Sequence, residues 1–167
     1  MSETTRSKWL SIVLAALGVV CAAAAFAQNP PVVATVDDAK WGPAPPFMPP
    51  GAQIAVVSGN PMGTGAYAVR LRFPANYAIP AHSHPTDENV VVTAGSVTFG
   101  MGDKLSKTAA GNKTLDVGGY ALMPTNMNHY AFAGANGADI VLYGQGPVEF
   151  KYVDPADDPR NGKAAKK

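Results

Sequence analysis

Apolar and polar positions alternate cleanly along Ala66–Phe73, with Tyr67, Val69, Leu71 and Phe73 on one face and Arg70 and Arg72 on the other. A period of two is the mark of a half-buried strand, because successive side chains of extended backbone point to opposite faces. Shorter segments of strand character follow one another through the chain: Gln53–Val57, Asn89–Thr93, Ser96–Phe99, Tyr120–Met123, His129–Ala133, Asp139–Tyr143 and Val148–Val153. Clusters of turn-forming residues separate them, notably Ala94-Gly95, Gly118-Gly119 and the run Gly134-Ala135-Asn136-Gly137. No stretch carries a sustained 3.6-residue repeat. This succession of short strands predicts an all-β fold, a sandwich or small barrel.

The two ends of the chain read differently. Arg6 and Lys8 precede an apolar run from Trp9 to Ala25, which closes on Ala25-Phe26-Ala27. A basic flank, an apolar centre and a small-x-small exit predict a signal peptide over 1–27, cleaved after Ala27, and hence a periplasmic or secreted protein. An uncleaved membrane anchor is the alternative, since the run approaches the length of a spanning helix. Residues 28–50 are rich in proline and predict an extended arm, with Trp41, Phe47 and Met48 available to pack it onto the body or onto a second subunit. The barrel-forming segment is expected at 51–153, followed by a disordered polar tail over 154–167.

Composition narrows the function classes. The 167 residues hold 13 Lys+Arg against 12 Asp+Glu. Such a balance lacks the basic excess of a nucleic-acid binder. The single cysteine, Cys21, falls in the segment expected to be removed. The exported chain would therefore have no disulfide, no thiolate nucleophile and no cysteine ligand for zinc.

The three histidines of the chain, His82, His84 and His129, carry the candidate chemistry. His82 and His84, two apart on extended backbone, project their imidazoles to one face. Glu88 follows after a proline-containing bend and can return to that face; His129 opens a later strand. Three imidazoles and a carboxylate suit a borderline divalent ion such as Mn, Fe, Co, Ni, Cu or Zn. Four ligands leave coordination positions open on an octahedral ion, as catalysis requires.

These residues resemble the two motifs of the cupin superfamily. The first, G-x5-H-x-H-x3,4-E-x6-G, is matched by His82-x-His84-x3-Glu88-x6-Gly95, with Asn76 standing where the opening glycine is expected. The second, G-x5-P-x-G-x2-H-x3-N, is matched by Gly118, Pro124 and His129, with Asn126 in place of the second glycine and Ala133 in place of the final asparagine. Asparagine tolerates left-handed backbone, so the replacement at Asn126 is mild. The resemblance covers residues 51–153 and implies a small antiparallel jelly-roll barrel. It also implies one divalent transition metal per subunit, held by His82, His84, Glu88 and His129, with Fe or Mn favoured and Zn, Cu, Ni or Co admissible.

The functional expectation is an exported metal-dependent enzyme, most plausibly a dioxygenase-type oxidoreductase acting on a small organic substrate; a lyase or isomerase is also open. A non-catalytic cupin that binds a metabolite or a metal is the alternative. A homodimer is expected, since pairing exposed edge strands between subunits covers them. Neither nucleic acid nor, once the signal is removed, a membrane is an expected partner. Several other residues are weaker candidates. Arg70 and Arg72 could clamp an anion but read better as a solvated pair. Met123 and Met127 flank the approach to His129 and read as pocket or core fillers. Asp87 could serve as a base or as a partner to the ligands but reads better as an exposed turn acid. Tyr143 and Gln145 share a strand face that could line the pocket, and no residue stands out as a dedicated general base.

Overall fold

The computed structural model describes residues 30–162, so the segment read as a signal peptide lies outside the described residues. Nine strands form one curled antiparallel sheet: β1 (Gly42–Pro43), β2 (Gln53–Ser58), β3 (Ala66–Phe73), β4 (Ala78–Ser83), β5 (Glu88–Met101), β6 (Lys113–Leu115), β7 (Tyr120–Met123), β8 (His129–Gln145) and β9 (Lys151–Tyr152).

The architecture rests on the two long strands. β5 and β8 pair along nearly their whole lengths, from Glu88 opposite Gly144 to Met101 opposite His129. The ladder is interrupted by register shifts between Val92 and Ala94 and between Gly95 and Val97. Such bulges bend a strand sharply and raise its twist. The first half of β5 and the second half of β8 thus belong to one layer, with β7 on one side and β3, β2 and β1 on the other. The other halves belong to a second layer, flanked by β6 on one side and by β4 and β9 on the other. The result is an antiparallel jelly-roll barrel, the fold class expected from the strand pattern and the motifs.

The core lies between the layers and follows the alternation in the sequence. Tyr67, Val69, Leu71 and Phe73 of β3 are all buried, together with Val90, Val92, Val97 and Phe99 of β5 and Ile140 and Leu142 of β8. Arg70 and Arg72 take the outer face. Arg72 grips Asp139 through Nε at 2.9 Å and Nη2 at 2.7 Å, and its guanidinium lies 4.2 Å from the Trp41 ring centre. It is a surface clamp between β3, β8 and the proline-rich arm.

Several segments differ from the sequence reading, each for a physical reason. Ala94-Gly95 is a bulge within β5, not a turn between two strands. Gly134–Gly137 likewise lies inside β8, so the two strands expected there are one. Only Lys151–Tyr152 of the expected Val148–Val153 strand is paired. The arm is not separate from the barrel: Phe47 and Met48 are buried in its core, and Tyr152 donates its hydroxyl hydrogen to the Phe47 carbonyl at 2.7 Å. The tail is ordered over 154–162, which corrects the expectation of disorder there. Asp154 and Asp158 each cap a single 3-10 turn, Pro155–Asp157 and Pro159–Asn161, and Arg160 Nη2 donates to the Phe150 carbonyl at 2.9 Å.

Candidate metal centre

Bending the β5–β8 ribbon in its middle brings its two ends together, and each end carries a candidate ligand. Glu88 opens β5 at one end and His129 opens β8 at the other, yet the Glu88 Oε2 and His129 Nε2 atoms are 3.8 Å apart. His82, near the end of β4, is the direct cross-strand partner of His129. His84 lies one residue beyond that strand. The four residues separated in sequence therefore meet at one end of the barrel, all of them buried.

The three imidazoles are held in one tautomer by the backbone. The Nδ1 atoms of His82, His84 and His129 lie 2.7, 2.9 and 3.0 Å from the carbonyl oxygens of Pro80, Glu149 and Met127. A carbonyl only accepts, so each Nδ1 carries the hydrogen in neutral imidazole and each Nε2 keeps its lone pair. One ring nitrogen from each lies within 4.8 Å of the other two. Glu88 Oε1 is 3.4 Å from His84 Nε2, but an ionised carboxylate only accepts and cannot satisfy a lone pair, and that nitrogen is buried without a hydrogen-bond partner among the described residues. Buried polar atoms are rarely left in this way unless something else engages them. A set of converging lone pairs with fixed outer hydrogen bonds is the arrangement that metal-binding histidines adopt, and the donors fit a borderline divalent cation.

For His82, His129 and Glu88 the electrostatics point the same way. Burial pushes the His82 imidazolium down to about 3, with the neighbouring imidazoles adding to the effect. Burial also lowers His129, which Glu88 and the Met127 carbonyl only partly offset. Both rings are therefore neutral at pH 7 and free to donate a lone pair. Burial opposes the charged form of His84, but the nearby Glu88 carboxylate overrides it and the net shift is upward. Burial likewise opposes ionisation of Glu88, yet the surrounding histidines hold its carboxyl below the usual range. The carboxylate is thus ionised and available as an anionic donor.

The loops bearing the ligands are tied to one another. Asp87 accepts hydrogen bonds from the Thr125 backbone N–H and hydroxyl, both at 2.8 Å. The Asn126 N–H donates to the His84 carbonyl, also at 2.8 Å. Asp87, which reads from the sequence more as an exposed turn acid than as a partner to the ligands, clips the approach to Glu88 onto the approach to His129. Asn76 and Asn126, the residues standing at motif glycine positions, are the two non-glycine residues of positive φ among the described residues, at 59° and 60°. Their left-handed backbone explains why glycine or asparagine is needed there. Asn126→Val should cost about 1–3 kcal/mol in urea denaturation, since a β-branched residue is strained at this φ. Asn126→Gly should stay within about 1 kcal/mol of the parent, since glycine takes this backbone freely but gains entropy when unfolded.

The remaining candidates fall outside the cluster. Tyr143 and Gln145 are exposed on the outer face, Met127 is 41% exposed, and Met123 is buried across the ladder from Glu88. One participant is missing from the sequence reading. The Phe150 ring stacks on His82 with centroids 4.2 Å apart and planes 9° apart, and meets His84 edge-on at 4.8 Å. Its signal was present: Val148, Phe150 and Tyr152 alternate with Glu149 and Lys151, which marks them as one inward face. Phe150 and three of the ligands line a cavity of about 20 Å³, whose only polar lining comes from His82, Glu88 and His129.

A family model described as the ChrR cupin-like domain matches residues 29–149, most of the chain. The chain belongs to this cupin family. The match includes the proline-rich arm, in keeping with the burial of Phe47 and Met48. Among solved structures, this cupin is similar to a candidate acetylacetone dioxygenase from Methylibium petroleiphilum, with a TM-score of 0.59 and 21% identity over 79% of this chain and 87% of that one. It is also similar to the polyketide cyclase RemF from Streptomyces resistomycificus, with a TM-score of 0.57 and 14% identity over 76% and 88% of the two chains. An RmlC-like cupin from Shewanella frigidimarina aligns with a TM-score of 0.51 and 15% identity over 68% and 89%. At these identities the likeness establishes the jelly-roll fold. No curated protein matches the chain in sequence.

Proposed function

We propose that this cupin is an exported, mononuclear metal-dependent enzyme, an oxidoreductase of the dioxygenase type acting on a small organic substrate. The observation that carries the reading is the convergence of three buried imidazoles whose Nδ1 atoms are all engaged by carbonyls, leaving three Nε2 lone pairs beside an ionised carboxylate. In this reading His82, His84, Glu88 and His129 are the ligands of one divalent ion per subunit, with iron or manganese favoured. Bound there, such an ion supplies Lewis-acid or redox chemistry to a coordinated substrate. Phe150 and the apolar walls keep bulk water from the ligands, which strengthens every electrostatic interaction at the centre.

The similarity to a candidate dioxygenase supports the choice of reaction class only through the shared fold. The same fold also serves a polyketide cyclase, and fold alone does not select a reaction. Capture of a metabolite or metal without turnover is the second reading. It is favoured by the small cavity beside the ligands and by the lack of another titratable residue on that cavity's lining. Export through the amino-terminal signal and assembly as a homodimer belong to the same proposal. Sedimentation at micromolar concentration tests the dimer, and a monomer would overturn it.

Elemental analysis of protein purified from its export compartment tests the centre itself. About one iron or manganese per subunit is expected, together with dioxygen uptake when substrates are screened. Stoichiometric metal with no turnover across the screen would favour capture. A chain that holds no transition metal after incubation with each candidate ion would overturn the enzyme reading and metal capture, leaving capture of a metabolite alone.

A further inference from the structure

We infer that the substrate is a small molecule with an apolar body and a single donor head, and that Phe150 separates the chamber for the body from the ligands that receive the head. The inference rests on the metal reading above and adds the substrate class to it. The cavity beside the ligands, about 20 Å³, holds little more than a water molecule. Next to it lies a second cavity of about 300 Å³, the size of a small-ligand site. Asn60 is the only polar residue lining it; the rest of its wall is aliphatic, aromatic, proline or methionine. The two cavities share Met48, Leu71, Leu142 and Phe150 as common wall.

Leu71 and Leu142 are fixed within the paired strands β3 and β8, whereas Met48 and Phe150 stand on segments outside regular structure. The Phe150 backbone is anchored on both sides, by the Glu149 carbonyl on His84 and by its own carbonyl on Arg160. Its ring is buried against His82, His84 and Phe47, and the flexible Met48 on the shared wall is the neighbour that can yield when the ring turns. A ring rotation off His82 joins the two cavities without moving a strand. With no charged residue on its wall, the chamber offers nothing to balance a second charge or to satisfy the hydroxyls of a sugar. It selects an aliphatic or aromatic body; Asn60 is the one polar residue on its wall, and the polar groups beyond Phe150 are those of the ligand cluster.

The test uses the full chain labelled with ¹³C at the methionine methyls, loaded with cobalt(II) for visible spectra and with diamagnetic zinc(II) for the methyl spectra, and titrated with acetohydroxamate and hexanohydroxamate. The cobalt visible spectrum reports the head, and the Met48 and Met62 methyl signals report the body, since both residues line the chamber. Each methylene moved from water into an apolar chamber is worth about fourfold in affinity. Hexanohydroxamate should therefore bind at least about fiftyfold more tightly than acetohydroxamate. It should shift Met48 and Met62 while leaving the exposed Met101 and Met127 in place. Val56→Asp, a change on the exposed rim of the chamber, should collapse the ratio between the two probes. Phe150→Ala should speed association of the longer probe at least about tenfold, since the gate is then open. Equal affinities with a normal cobalt response, or unmoved Met48 and Met62 signals, would overturn the chamber and leave the metal reading intact. Movement of Met48 and Met62 with no cobalt response would overturn coordination of the head at the ligands, whereas a chain that takes up no cobalt would overturn the metal reading itself.

Discussion

His129→Ala is expected to purify without metal while remaining folded. Its Nε2 is one of three lone pairs that converge on the centre, and its ring is oriented by the Met127 carbonyl at 3.0 Å. Removal of an outer hydrogen-bond partner alone typically weakens a metal site 10–100-fold. Deleting a ligand should exceed that, so a loss of at least about 100-fold is expected in competition with a chromophoric chelator. The backbone of His129 still pairs with His82 and Met101, so the barrel should survive. The vacated volume should cost about 1–3 kcal/mol in denaturant unfolding, at the low end for a buried truncation because the ring makes a single hydrogen bond. Metal content equal to the parent would remove His129 from the ligand set. An unfolded variant would show instead that the ring is chiefly structural, and His129→Gln, which retains volume, separates the two cases.

Gly95→Ala should be the most destabilising single methyl addition in the barrel's bend. Gly95 has φ near +64°, and a Cβ there would lie 2.1 Å from the Gly137 carbonyl oxygen. That oxygen belongs to the backbone of β8, so the contact cannot be relieved by a rotamer change. Left-handed strain and the forced separation of two bulges together should cost about 3–5 kcal/mol. Gly111→Ala, with no atom within 4 Å of its added carbon, is the matched control and should change stability by no more than about 0.5 kcal/mol. Metal retention should fall in parallel, because this bend is what brings Glu88 and His129 together. A Gly95→Ala chain within 1 kcal/mol of the parent would mean that the ribbon bends without this close approach.

The candidate site was more legible in the sequence than the path of the chain that builds it. His82 and His84 share a face because strand periodicity is two, and the absence of any further histidine makes His129 their natural companion. The convergence of Glu88 was readable from the bend after Pro85. The tautomer was not readable, because the three groups that fix it are backbone carbonyls of Pro80, Met127 and Glu149. Gly95 and the run from Gly134 to Gly137 suggest turns by local composition. In the fold they are bulges, because pairing on both flanks is strong enough to carry the ladder past them. The ordered segment after Asp154 depends on Arg160 reaching Phe150, a tertiary contact that local composition does not encode. Phe150 itself required the register of β9 against β4 before its position over His82 could be known.

The meeting of the two ribbon ends also has a mechanical consequence. Glu88 and His129 are separated by about 40 residues of chain. A shared ion joining them would act as a reversible cross-link across that loop, in the manner of a disulfide. By loop-closure entropy, a cross-link of this span restricts the unfolded chain by up to about 4 kcal/mol. The proposed ion would then serve as a clasp as well as a reagent. Chelation should slacken the bent ribbon at its open end first, with amide exchange rising at Glu88 and His129 before it rises at Gly95.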